Sequence, residues 1–334
     1  MKMSDQEFKK LGFESLQQHM FPNIVNVCVI RGDCPCQCVH CPLGITPPIK
    51  RHARFGRSVI SLRLFKKIVQ EMSAFPDSTL RIHGVGEPIL WKKLSCALRF
   101  ASEYNVRTWL FTCLVTEDAS LLEELAEYCK IIEISINSFD EGNYRKTKGT
   151  NAFSLVKCNI ESLKDIVMSK NLPTRIIVSR VESEDKHYDS AFVKYWKSSN
   201  LVDDAFIRAY HDYNSLLENR FQQEKTDITP CLVHWSRFNI DCDGTVVLCF
   251  NELFKEKRPD ASLILGDIEN QPISEMWHCE RLNLVRRAQL EKDYSSVKFT
   301  DKLPCINCSY SQPSGRRRTS EYQVDLLTRG VTHG

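Results

Sequence analysis

The sequence predicts an α/β chain: a partial (β/α)6 barrel of the TIM type followed by a small cysteine-rich C-terminal module. Three observations carry that expectation. Short apolar runs alternate with amphipathic stretches about six times between residues 24 and 210, the pattern of a parallel sheet with helices outside it. The 15 cysteines gather in two places, four between Cys34 and Cys41 and six between Cys231 and Cys308. A polar, charged segment over 214–230 separates the repeating part from the second cysteine group.

The elements follow in order. Residues 24–30 (IVNVCVI) read as a strand that ends just before the first cysteine group. Residues 61–73 (SLRLFKKIVQEMS) place apolar side chains at helical spacing. A short strand over 80–83 runs into Gly84-Val85-Gly86-Glu87-Pro88, and a helix follows over 94–104. A strand over 106–113, a helix over 119–129 and a β-branched strand over 131–136 come next. A helix over 153–169, a strand over 175–181, a helix over 187–199 and a strand over 204–210 complete the series. In barrels of this kind the chemistry sits on loops after the strands, and the cysteine loop follows the first strand. Further on, 239–249 (NIDCDGTVVLC) reads as a hairpin with Asp243-Gly244 at its turn, which brings Cys249 toward Cys231. Residues 266–268, 273–277 and a helix over 281–290 fill the gap before Cys305 and Cys308. The expected division is an extension over 1–23, the barrel over 24–213, a linker over 214–230, the module over 231–310 and a basic tail over 311–334.

Composition narrows the function. Hydrophobic residues at 42% and charged residues at 26% are ordinary for a globular protein, and a net charge of +3 is too small to point to nucleic acid. No apolar run approaches the roughly 18 residues of a membrane span, and the N-terminus lacks the apolar core of a secretory signal. The expectation is a cytoplasmic protein without membrane or nucleic-acid partners. Cysteine usage then points to metal or thiol chemistry in a reducing compartment. Cys28, Cys96, Cys113, Cys129 and Cys158 lie in apolar or helical contexts, where a small buried hydrophobe is the default.

The first group reads C-x3-C-x2-C over Cys34, Cys38 and Cys41, with Cys36 as a spare thiol and His40 beside Cys41. Three thiolates can hold three irons of a [4Fe–4S] cube and leave the fourth open for a small molecule. Zinc with a fourth ligand is the alternative. Cys231, Cys249, Cys305 and Cys308 likewise suit one zinc or one cluster, and spacing does not choose between them. Gly84 and Gly86 permit close approach of the backbone to a ligand, and Glu87 offers a carboxylate to an ammonium group. Alternation puts Glu133, Ser135 and Asn137 on one face, the inside of a small barrel. Arg145 can pair bidentately with a carboxylate.

These motifs together resemble the radical S-adenosylmethionine (SAM) superfamily, in its SPASM/twitch branch, over about residues 24 to 310. The resemblance implies a SAM-binding [4Fe–4S] cluster on Cys34, Cys38 and Cys41 and an auxiliary [4Fe–4S] cluster on Cys231, Cys249, Cys305 and Cys308. The further cysteines of a full SPASM domain are absent after Cys308, which suits the shorter twitch form. Gly84, Gly86 and Glu87 resemble the family's glycine–glycine–glutamate motif for the SAM amino group, here with Val85 inserted. Ser135 and Arg145 resemble the pair that binds the SAM carboxylate, with Ser179 and Arg180 as further polar candidates. His40 stands where the family has an aromatic side chain against adenine. Cys113, Cys242 and Cys279 are candidate hydrogen donors to a substrate radical.

The implied activity is reductive SAM cleavage and hydrogen abstraction from a hydroxylated small molecule, a sugar or aminocyclitol, giving dehydrogenation or epimerisation. A low-potential donor such as flavodoxin or ferredoxin would supply the electron. One alternative is a maturase acting on a ribosomally made peptide, although the roughly 20 residues before the first strand are too few for an independent leader-binding domain. Another is a non-catalytic regulatory protein whose clusters hold the fold.

Overall fold

The computed structural model describes residues 20–218, 220, 231–303, 305 and 308. The expected extension (but for 20–23), most of the 214–230 linker and the 311–334 tail lie outside these residues.

Six strands carry the barrel: β1 (Ile24–Arg31), β2 (Thr79–Val85), β3 (Arg107–Thr112), β4 (Ile131–Ile134), β5 (Arg175–Val181) and β6 (Asp204–Arg208). They pair in sequence order and all in parallel. Between β1 and β2 the chain forms α1 (Pro42–Ile45), α2 (Pro48–Phe55) and α3 (Leu62–Met72). The remaining barrel helices are α4 (Leu94–Glu103), α5 (Ala119–Tyr128), α6 (Glu141–Lys148), α7 (Phe153–Ser169) and α8 (Lys186–Ser198). Several begin where a short polar side chain satisfies a free amide. Ser61 accepts from the Leu64 amide at 3.1 Å, Asp118 from Leu121 at 3.1 Å, and Asp185 from Tyr188 at 2.9 Å.

Strand alternation divides the core into two layers. Val25, Val27, Leu80, Ile82, Leu110, Ile132, Ile134, Ile176 and Val178 point outward into one apolar cluster with the helices. Trp109, Ile131, Ile177 and Phe206 point inward and plug the barrel. Above the plug the fully buried Glu133 accepts from Trp109 Nε1 at 3.1 Å and from Arg208 Nε at 2.9 Å. Arg81 lies 3.7 Å away on its other side. Burial alone would raise the Glu133 pKa, but the two guanidiniums reverse this and hold it below the usual carboxylate range.

The C-terminal part contains α9 (Leu232–Ser236), β7 (Arg237–Ile240), β8 (Thr245–Val247), α10 (Glu252–Lys255), β9 (Ile264–Asp267), α11 (Ile273–Trp277) and α12 (Glu280–Glu291). The hairpin expected from the sequence is β7–β8, with Gly244 N donating to Asp241 O at 3.0 Å across its turn. It does not stand apart. β7 adds in parallel to the free edge of β1, giving one nine-stranded sheet ordered β6-β5-β4-β3-β2-β1-β7-β8-β9. Asn26 donates to Asn239 at 2.9 Å across that seam, and Arg31 pairs with Asp241 at 2.7 Å. Among the described residues, no helix is long and apolar enough to cross a membrane.

Candidate functional site

The cysteine loop leaves β1 through Gly32 and is clamped from three sides. The buried Arg51 of α2 donates at 2.9 Å to both Cys34 O and Cys36 O. Gln37 N donates to Lys148 O at 2.8 Å and Val39 N to Thr147 O at 3.1 Å, so the end of α6 lies along the loop. Gly149, in the left-handed region at φ 64°, closes α6, and a Cβ there would meet Gln37 O at 2.8 Å. The third clamp is the turn after β2, where Glu87 N donates to Asp33 O at 2.8 Å. A Cβ on Gly84 would sit 2.6 Å from Ile30 O, and one on Gly86 2.7 Å from Asp33 O. The close approach expected of these glycines is therefore to the end of β1 itself.

Glu87 is 3% exposed and rigidly held. Its Oε1 accepts from Thr112 Oγ1 at 2.6 Å and its Oε2 from Cys113 N at 2.7 Å. Five thiols gather beside it. The sulfurs of Cys34, Cys36 and Cys113 lie within 4.8 Å of one another, with Cys38 and Cys41 in the same loop. Hydrogen bonds from Cys113 and then Cys36 lower the Cys34 thiol to about 6. A hydrogen bond with Cys36, followed by burial, raises Cys38 to about 11, and burial raises Cys41 to about 11. The sequence spacing selects Cys34, Cys38 and Cys41. The geometry adds Cys36 and Cys113 as thiols in contact with that set.

Ser135 faces the same space, but Arg145 does not. Arg145 is exposed on α6, and the cation that reaches inward is Lys148, 2% exposed. Its Nζ donates to Ser135 O at 2.6 Å and lies 3.4 Å from Ser135 Oγ. Burial opposes the Lys148 charge, yet the surrounding sulfurs of Cys38, Cys36 and Cys113 more than offset it and raise its pKa. The signal was in the sequence. Tyr144 is a buried anchor, and a residue four positions on shares its helical face, whereas Arg145 is turned about 100° away. Ser179 is buried and serves the Glu133 carboxylate, and Arg180 pairs with Asp189 at 2.7 Å, so neither lines the cavity.

The second cysteine group converges as well. Cys305 is buried, with the thiols of Cys249, Cys231 and Cys308 close enough to raise its pKa further after burial, and Cys308 Sγ lies 3.9 Å from His211 Nε2. One cavity of about 250 Å³ is lined both by Cys34, Cys36, Cys38, Cys41 and His40 and by Cys231, Cys249 and Cys308. The same lining includes Phe111, Tyr213, Phe250 and Phe254, and also Asn26, Arg81, His83 and Arg208. His83, unmarked in the sequence reading, is 3% exposed, and neither ring nitrogen has a well-formed hydrogen bond. Burial, then Arg81, keeps its pKa well below that of a free histidine. Cys242 and Cys279 are not part of this space. Cys242 packs 3.6 Å from Cys28 at the β1–β7 seam, and Cys279 begins α12 on the far side of the module. Of the three candidate hydrogen donors, Cys113 is the one among the cavity-lining residues.

Residues 231–309 match the SPASM family model, described as an iron–sulfur cluster-binding domain. A search of curated proteins finds no match. Solved structures similar to this chain include BtrN in complex with AdoMet and 2-DOIA, at 15% identity over 88% of this chain and 95% of that one, with a TM-score of 0.50. SuiB of Streptococcus suis bound to the precursor peptide SuiA is 13% identical over 83% of this chain and 70% of that one, with a TM-score of 0.61. Native anSMEcpe with bound AdoMet is 12% identical over 92% and 98%, with a TM-score of 0.60. These likenesses, all at 15% identity or less, show the fold: a partial barrel of parallel strands with helices outside. The donors fit iron–sulfur clusters, since both sets are built from thiols, the ligands such clusters take.

Proposed function

We propose that this chain is a radical SAM enzyme acting on a small hydroxylated molecule held between its two cysteine sets. The observation that carries the proposal is the shared cavity, whose lining includes Cys34, Cys36, Cys38 and Cys41 together with the C-terminal Cys231, Cys249 and Cys308. Cys34, Cys38 and Cys41 would hold a [4Fe–4S] cluster, and Cys231, Cys249, Cys305 and Cys308 a single auxiliary one, as in the twitch form. The first cluster, reduced and with SAM bound, supplies a 5′-deoxyadenosyl radical that removes hydrogen from carbon.

The protein's own part is to bind, orient and keep water out. Glu87, fixed by Thr112 and the Cys113 amide, is the acceptor for the SAM ammonium. Lys148, steadied on Ser135, pairs with the SAM carboxylate in place of the exposed Arg145. His40 stacks on the adenine from the rim. Phe111, Tyr213, Phe250 and Phe254 wall the chamber against solvent. In the cavity lining, Asn26 Oδ1 and both nitrogens of His83 are buried polar atoms without a well-formed hydrogen bond. Such atoms ask for hydroxyl groups, which donate and accept at once, and this supports a sugar or cyclitol substrate. Cys113, on the same wall, is the thiol positioned to return a hydrogen atom if the outcome is epimerisation. For dehydrogenation, Cys231, Cys249, Cys305 and Cys308 would hold the auxiliary cluster that could accept the second electron.

A peptide substrate is the second reading, favoured by the neighbours solved with peptides, SuiB with SuiA and anSMEcpe with the Cp18Cys peptide. The test is anaerobic reconstitution, iron and sulfide analysis, and assay of 5′-deoxyadenosine after dithionite reduction. Sugars, cyclitols and peptides would be compared as substrates by mass spectrometry. Stimulation by hydroxylated small molecules is expected. Stimulation by peptides alone would replace the substrate assignment, and no SAM cleavage under any condition would remove the enzyme reading.

A further inference from the structure

We infer that the outer face of the cysteine loop, with the flanking surfaces of α2 and α6, is the docking site for an acidic one-electron carrier protein of the flavodoxin class. The inference rests on the proposed reduction at this loop. It concerns where the electron enters.

The loop is a wall one chain thick. Cys36 and Cys38 are buried and face the cavity, while the alternate residues Pro35, Gln37 and Val39 are exposed. Any group held by the inward sulfurs is separated from solvent here by a single layer of backbone. The helices bracing that wall are anchored to it, α2 through Arg51 on Cys34 O and Cys36 O, and α6 through Lys148 O and Thr147 O on Gln37 and Val39.

The same face has the composition of an interface. Ile49 is 90% exposed, Ile45 48% and Val39 37%, three apolar side chains on the loop and the two short helices that follow it. Around them stand the exposed cations Lys50 on α2 and Arg145 and Lys146 on α6, none in an ion pair among the described residues. The acidic groups nearby are Asp33, engaged by His52 at 2.6 Å and Arg57 at 3.4 Å, and Asp140 and Glu141 at the opposite end of α6 from the loop. From residue 34 to residue 70 the sequence has seven lysines and arginines and no acidic residue, in a chain whose net charge is only +3. An apolar centre whose nearest exposed charges are mainly cations fits a partner of opposite charge, and complementary fields steer association. A carrier of one electron meets that description when its cofactor edge is surrounded by carboxylates. Arg145, which the sequence alone suggested for SAM, finds a role here from the outside of the loop.

The double variant Lys50→Glu/Lys146→Glu tests this with side chains that do not reach the cavity. Binding of a recombinant flavodoxin to the reconstituted protein would be followed by flavin fluorescence anisotropy at low and moderate salt, so the result does not depend on turnover. We expect binding about tenfold weaker in the variant, with the difference shrinking as salt rises. SAM cleavage driven by reduced flavodoxin should fall in parallel, while cleavage driven by dithionite stays at the wild-type rate. Ile49→Asp should weaken binding with little salt dependence. Unchanged flavodoxin affinity in both variants would overturn the assignment. Equal affinity for an acidic peptide of matched charge would also overturn it, by giving the face to substrate capture.

Discussion

Lys148→Met is the substitution that best separates what the sequence suggests from what the structure places in the cavity. Lys148 is 2% exposed, and its fixed partners are the oxygens of Ser135, with no carboxylate in ion-pair range among the described residues. A buried ammonium needs a counter-charge, and under the proposed function the thiolate-bound cluster and the SAM carboxylate would supply it. Hydrogen bonds to charged groups contribute about 1.5–3 kcal/mol, which is about 10- to 150-fold in affinity. Methionine keeps the length of the side chain, and the Lys148 carbonyl still accepts from Gln37, so the cysteine loop keeps its brace. The expected result is a SAM dissociation constant raised by about 10- to 150-fold, with iron content unchanged. It would be measured anaerobically by equilibrium dialysis and by the change that SAM makes in the reduced-cluster EPR spectrum. Lys148→Arg should recover much of the affinity, and Arg145→Ala, on the exposed face of α6, should leave it unaltered. Unchanged SAM affinity in Lys148→Met, or an equal loss in Arg145→Ala, would refute the reasoning.

Three further outcomes are expected. Glu133→Gln leaves Arg81 and Arg208 sharing a neutral group inside the barrel, and breaking such a buried pairing costs about 3–5 kcal/mol; a urea midpoint close to wild type would contradict it. Cys249→Ala should remove about half the iron while SAM cleavage continues, and Cys34→Ala about half with cleavage lost; iron analysis showing no loss in either variant would remove the two-cluster assignment. His234 is buried and its pKa is lowered to about 3 by burial and then by Arg286. Its folded-state pKa lies below the unfolded value of about 6.5, so its contribution is complete above that value and is lost as pH falls toward 3. Wild type should therefore lose about 2 kcal/mol more stability than His234→Gln between pH 6.5 and 5, read from denaturant unfolding at the two pH values.

Much of this architecture was legible because strand alternation and helical spacing are local properties. The β1 sequence IVNVCVI already sorts its residues, with Val25 and Val27 outward and Asn26 and Cys28 inward. What stayed hidden depends on rotation about a helix axis or on pairing distant in sequence. Arg145 and Lys148 are three residues apart, and only the burial of Tyr144 decides which of them faces the cavity. Arg51 reads as one more surface cation in PIKRHARF, yet it is buried on the carbonyls of the cysteine loop. Cys242 and Cys279 looked as available as Cys113, because cysteine spacing carries no information about which wall a thiol occupies. The parallel addition of β7 to β1 joins residues more than 200 positions apart, and no local pattern announces it.

That seam has a mechanical consequence. β1 carries the first cysteine loop at its end and the C-terminal module along its edge, so one strand fixes the separation of the two cysteine sets. Arg31, 2% exposed, is the pin. Its guanidinium pairs with Asp241 at 2.7 Å in the β7–β8 turn, and it donates to Phe55 O at 2.7 Å at the end of α2. It also donates to Leu253 O at 2.9 Å and Glu256 O at 2.6 Å around α10. Arg31→Met would strand Asp241 and three carbonyls without donors at the junction. A loss of about 3–5 kcal/mol follows from breaking a buried pair. The more telling effect is geometric: with the pin gone, the module can shift along β1 while each cysteine set keeps its own residues. Iron content should therefore hold, and the magnetic coupling between the two reduced clusters, measured by pulsed EPR, should weaken and spread over a range of values. A variant with the wild-type coupling and the wild-type unfolding midpoint would mean that something other than this arginine sets the spacing across the cavity.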